Sequence, residues 1–132
     1  MSITWIIALL VFMLFAHIVD DYYLQGWLAS AKQKKWWEKN APDKLYSGDY
    51  LMALFCHALS WSIMTFSPIL IYSLCNQINL NLFYLAIPIN LCIHAFVDDL
   101  KANRLILNLF VDQSIHFVQI VATWSAFILI LN

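Results

Sequence analysis

The chain has 132 residues, of which 63% are hydrophobic, 16% aromatic and 11% charged, with a formal net charge of −1. A soluble domain carries about a quarter charged residues, so this composition, with a mean hydropathy of +0.73, excludes one; two glycines and three prolines exclude collagen-like and disordered chains. The charge balance gives nucleic acid no footing, and no nucleic-acid partner is expected.

A bilayer core of about 30 Å needs about 20 helical residues to cross it. Four stretches meet that length, residues 3–22, 50–74, 82–100 and 105–131, and predict an all-α four-helix transmembrane bundle as one domain over 1–132. The first stretch has no Lys or Arg ahead of it and runs straight into His17 and Asp20 with no small-residue cleavage pattern, so it reads as a retained helix, not a signal peptide. Gln25-Gly26 follows as a helix stop. Residues 23–49 then interleave Trp27, Trp36 and Trp37 with five lysines, the pattern of a short helix in the headgroup layer. Pro68 and Pro88 predict kinks in the second and third spans, and the fourth span is long enough to tilt or to begin with an interfacial turn. Cys56, Cys75 and Cys92 lack CxxC spacing and read as small buried hydrophobes.

All seven basic residues fall in two connections: Lys32, Lys34, Lys35, Lys39 and Lys44 in the first, Lys101 and Arg104 in the third. By the positive-inside rule, loops 23–49 and 101–104 face the cytoplasm and both termini face outward. The eight acids follow the bases to the same side. Each span also contributes one histidine, His17, His57, His94 and His116, in its cytoplasmic half.

Residues four apart share a helix face, and His17 with Asp21, His94 with Asp98, and Asp112 with His116 all have that spacing. Asn90, His94, Asp98 and Lys101 form a polar stripe on the third span; Asn108, Asp112, His116, Gln119 and Thr123 form one on the fourth. Ionisable groups inside a span cost about 2.5–3.5 kcal/mol each, so such stripes turn inward. Taken singly, each pair reads as a hydrogen-bonded helix contact. As a set they read as a divalent-metal site for zinc, manganese or iron, with His17, Asp21, His57, His94, Asp98, Asp112 and His116 as candidate ligands. Asp20, Asp98 and Asp112 are candidate catalytic carboxylates, and Asp20 and Asp99 have the further reading of solvated helix-end charges. Lys44, Lys101 and Arg104 are candidates for binding an anionic headgroup, and Gln25, Asn90, Asn108, Gln113 and Gln119 for supporting the ligands. No Gly-rich phosphate loop, HExxH or GxSxG is present.

His17 with Asp20, Asp21 and Leu24-Gln25, His57, His94 with Asp98 and Lys101, and Asp112-Gln113 with His116 together resemble a family of small bacterial and phage integral membrane proteins catalogued as a domain of unknown function. The resemblance covers most of the chain, leaves either Asp20 or Asp21 as the matching aspartate, and implies a bacterial or phage-infected host inner membrane without implying a reaction. The expected function is metal-dependent hydrolysis of a lipid-like ester or phosphoester, with membrane lipids or an anionic amphiphile as partners and self-association as a further expectation. The competing expectations are a proton or divalent-ion transport module, and a non-enzymatic effector that binds another membrane protein.

Overall fold

The structure, a computed structural model, describes residues 1–131. It is all-helical among them, with four long apolar helices: α1 (Ile3–Ile18, running on as a π-helical turn over Val19–Leu24), α4 (Asp49–Cys75), α5 (Asn81–Ala102) and α6 (Leu109–Leu131). Each is long and apolar enough to cross a membrane, as expected of a multi-pass membrane protein. Two short helices, α2 (Leu28–Ala31) and α3 (Lys34–Asn40), and a 3₁₀ turn at Lys44–Tyr46 fill the first connection, where a single interfacial helix was expected.

Local chemistry explains the boundaries. Ser2 caps α1 by accepting from the Trp5 backbone N–H. At the other end Gln25 N–H donates to Asp20 C=O, one residue further back than in an α-helix, and the chain then turns at Gly26, whose φ of +47° suits glycine. Pro68 deprives the Met64 carbonyl of its donor, and Ser67 Oγ supplies one at 2.7 Å, so α4 continues through the proline. The fourth helix starts at Leu109, four residues later than the apolar run begins: Leu105 has a φ of +56°, and Asn108 caps the helix by accepting from Val111 N–H at 2.9 Å. Asn108 is thus an exposed cap, and its polar atoms serve the backbone.

Leu9, Met13, Trp61, Phe66, Ile69, Ile120 and Phe127 form the buried apolar core. This core fills the half of the bundle remote from the basic loops, while the other half is occupied by buried polar groups. The cysteines are on outward faces of α4 and α5, a correction to the expectation that they are buried. A thiol is apolar enough to face lipid, so apolar surroundings in sequence did not imply the core.

Candidate metal centre

Every histidine is seven or eight residues from the end of its helical element nearest the basic loops. At 1.5 Å per residue, that is a common depth of about 10–12 Å. All four rings and Asp112 are fully buried, and Asp20, Asp98 and Asp21 are 1%, 2% and 6% exposed.

Three donor atoms from three helices meet first. His57 Nε2 lies 3.2 Å from Asp21 Oδ1 and 3.2 Å from His94 Nε2, and His94 Nε2 lies 4.0 Å from Asp21 Oδ1. Ligand atoms at about 2.0–2.2 Å from a tetrahedral ion are themselves about 3.3–3.6 Å apart, so Asp21, His57 and His94 can hold one ion. Asp98 Oδ2 stands beside them, 3.3 Å from His57 Nε2 and 3.9 Å from His94 Nε2. His94, Asp98 and His116 form a second such group. The two groups share His94, whose Nδ1 faces His116 Nδ1 at 3.2 Å.

The remaining contacts orient these donors. His57 Nδ1 and Asp20 Oδ2 are 4.0 Å apart and have no hydrogen-bond partner among the described residues, while Ser60 Oγ donates to the other Asp20 oxygen at 2.6 Å. Asp20 is therefore not a solvated helix-end charge: it is buried and aimed at the back of the His57 ring. Asp99 does behave as a helix-end charge, accepting from Arg104 Nε and Asn103 Nδ2 at 2.9 Å each. His116 Nε2 lies 3.7 Å from Asp98 Oδ1 and 3.6 Å from Asp112 Oδ1, and Asp112 Oδ2 accepts from Lys101 Nζ at 2.6 Å.

His17 stands apart from the expectation that all four rings share one centre. Trp61 Nε1–H donates to its Nδ1 at 2.7 Å, which leaves its Nε2–H to donate to Gln113 Oε1 at 3.0 Å. Both ring nitrogens are thereby engaged. The Gln113 amide N–H groups in turn reach Asp21 Oδ2 at 2.8 Å and Asp112 Oδ2 at 3.0 Å. Gln113, off the sequence stripe, is the hub between two carboxylates. Gln25 donates from its side-chain amide to the Asp21 carbonyl.

Two residues essential to this arrangement escaped the sequence reading. Trp61 stacks on His94 with ring centroids 4.1 Å apart and planes at 17°, and closes the polar cluster off from the apolar core. A lone Trp in an apolar run carried no signal beyond packing. Lys32 Nζ lies 2.5 Å from Asp98 Oδ2, and one lysine among five gave no sign of being the buried one. Lys44, by contrast, is exposed on the 3₁₀ turn, and Arg104 engages Asp99 at the surface. Asn90 and Gln119 form a separate layer one turn beyond the cluster, where Gln119 Nε2 donates to the Asn90 carbonyl at 2.8 Å and Asn90 Nδ2 to Thr123 Oγ1 at 3.1 Å.

Fold and site together define a class: a polytopic helical membrane protein with a buried His/Asp cluster that can hold a metal ion. Within that class the chain belongs to the family described as protein of unknown function DUF3307, whose model matches residues 9–132. No curated protein and no solved structure matches it.

Proposed function

We propose that the protein holds one divalent cation, zinc, manganese or iron, through Asp21 Oδ1, His57 Nε2 and His94 Nε2, and hydrolyses an ester or phosphoester of an amphiphile at the cytoplasmic side of the membrane. The observation that carries this is the convergence of those three atoms, at 3.2–4.0 Å, from three different helices. Charge supports it. Four buried carboxylates, Asp20, Asp21, Asp98 and Asp112, face two ammonium groups, Lys32 and Lys101. With neutral imidazoles two negative charges are left over, and buried charge is costly unless neutralised; a dication neutralises both.

One assignment of protons then serves the buried histidines. His57 turns Nδ1–H toward Asp20, His94 turns Nδ1–H toward His116 Nδ1, and His116 turns Nε2–H toward Asp98 and Asp112. Carboxylates and imidazoles behind metal-binding rings in this way fix their tautomer and orientation. Such an ion supplies Lewis acidity to a bound ester and activates water. Asp98, paired with Lys32 and facing the same donor set, would accept the proton of the attacking water and return it to the leaving alkoxide. His17 and Gln113 position Asp21.

Metal content of the purified protein, measured by mass spectrometry, tests the reading: one equivalent is expected in wild type and less than a tenth of that in His57→Ala and His94→Ala. Metal-free wild type, unable to take up added Zn²⁺, Mn²⁺ or Fe²⁺, overturns it.

A second reading has its own observation. His57, His94 and His116 form a chain with ring nitrogens 3.2 Å apart at each step, a spacing suited to proton transfer. Against it, Trp61 and the apolar core occupy the remaining half of the bundle along the route to the other face. Proton flux into liposomes, abolished by His94→Ala, is the result that would favour it.

A further inference from the structure

We infer that the cleft beside Asp21 binds the phosphate headgroup of an amphiphile, an assignment that rests on the metal site proposed above. The cleft has a volume of ≈ 150 Å³ and is walled by Asp21, Tyr22, Gln25, Lys32, Lys101 and Gln113. A single water needs only about 10–15 Å³ of such space, so the cleft has room for a phosphate group.

The charges are ordered for an anion. Lys32 comes from the end of α2 and Lys101 from the last turn of α5, so two ammonium groups reach the cleft from separate elements. Their carboxylate partners, Asp98 and Asp112, do not line it. The cleft wall thus carries two ammonium groups against one carboxylate, Asp21. Asp21 belongs to both the cleft wall and the proposed ligand set, which puts the ion within reach of the same ligand. A phosphate monoester has three terminal oxygens, one for each ammonium group and one for the ion; a carboxylate would have to share one oxygen between two of them. Lysine suits this role as a point charge that needs no planar partner.

The rim supplies the second half of the ligand class. Leu109 and the ring of Tyr22 line the cleft, and both are exposed apolar surfaces at the ends of neighbouring spans. Such residues lie at the level where lipid chains begin, so a ligand seated on the lysines has an apolar surface beside it for a tail. This surface favours a lipid-like phosphate over free phosphate.

Calorimetric titration of the protein in non-ionic detergent with dodecyl phosphate, inorganic phosphate and dodecyltrimethylammonium tests the inference, with and without bound Mn²⁺. Dodecyl phosphate is expected to bind wild type, to bind Lys32→Met and Lys101→Met at least tenfold more weakly, and to bind Lys44→Met, altered outside the cleft, like wild type. Lys101→Arg restores binding to within threefold. Metal content of Lys101→Met stays at the wild-type level, so loss of headgroup binding separates from loss of the ion. Equal affinity of wild type and both Lys→Met variants overturns the site. Inorganic phosphate binding as tightly as dodecyl phosphate, or dodecyltrimethylammonium doing so, overturns the amphiphile assignment. If Lys32→Met fails to fold, Lys101→Met and Lys101→Arg decide alone. Protein that takes up no metal overturns the metal reading, while lysine-dependent binding of dodecyl phosphate to that same protein still supports the cleft.

Discussion

The ends of α1 and α5 begin from nearly the same letters, His17-Ile18-Val19-Asp20-Asp21 and His94-Ala95-Phe96-Val97-Asp98-Asp99, and arrive at different chemistry. At α5 the histidine keeps its Nε2 turned to the donor set, one aspartate is buried beside it and the next pairs with Arg104 at the surface. At α1 both aspartates are buried and the histidine is tied on both nitrogens to Trp61 and Gln113. Spacing accounts for the aspartates: steps of three and four residues from a helical histidine stay on its face, and a step of five rotates about 140° away. Asp20, Asp21 and Asp98 are at steps of three or four; Asp99 is at five. The histidines diverge because of what faces them across the bundle. Trp61 offers its N–H to one and its ring face to the other.

This contrast can be broken at either end. His94→Ala removes the residue common to both candidate donor groups and is expected to abolish metal binding, read as metal content after purification. Next in size is the effect of the ion on the fold: at a free metal concentration a hundred times Kd, unfolding should cost about 2.7 kcal/mol more than in chelator, seen as a rise in Tm that His94→Ala lacks. A wild-type Tm indifferent to metal would count against the site.

His17→Ala should weaken metal affinity about 10–100-fold while preserving one equivalent at saturation, the scale on which groups behind metal ligands act; isothermal titration separates affinity from stoichiometry. Loss of stoichiometry as complete as in His94→Ala would mean that His17 is itself a ligand. Asp20→Asn should weaken affinity about tenfold by depriving His57 of its carboxylate. Asp99→Asn sets the lower limit: its pair with Arg104 is exposed, such pairs contribute about 0–1 kcal/mol, and metal titration should not detect the change.

Four spans, the clustering of charge at one end and the inward-facing stripes were legible because membrane burial imposes long apolar runs and the period of the helix places side chains on a face. Asp112 and His116, Asp98 and His94 lie where that period puts them. Lys101 was selected for its place on a stripe and does meet Asp112. The same rule did not find Gln113, which is adjacent to Asp112 and turns its amide sideways to reach α1, nor could it distinguish Lys32 from Lys34, Lys35, Lys39 and Lys44. Lys32 is buried because α2 packs against α4 and Asn103 Nδ2 donates to its carbonyl at 3.1 Å, contacts that lie outside the reach of any spacing rule within one helix.

By itself the sequence determined the four long helical segments, which end of them is polar and which residue types populate that end, since these depend on local composition and on spacing within one helix. Tertiary structure alone decided which imidazole nitrogens converge, which histidine is tied away from them and which lysines guard the cleft. Those outcomes depend on the rotation and depth of each helix against its neighbours, and these are set by the packing of many side chains at once, among them Trp61, which no spacing rule singles out.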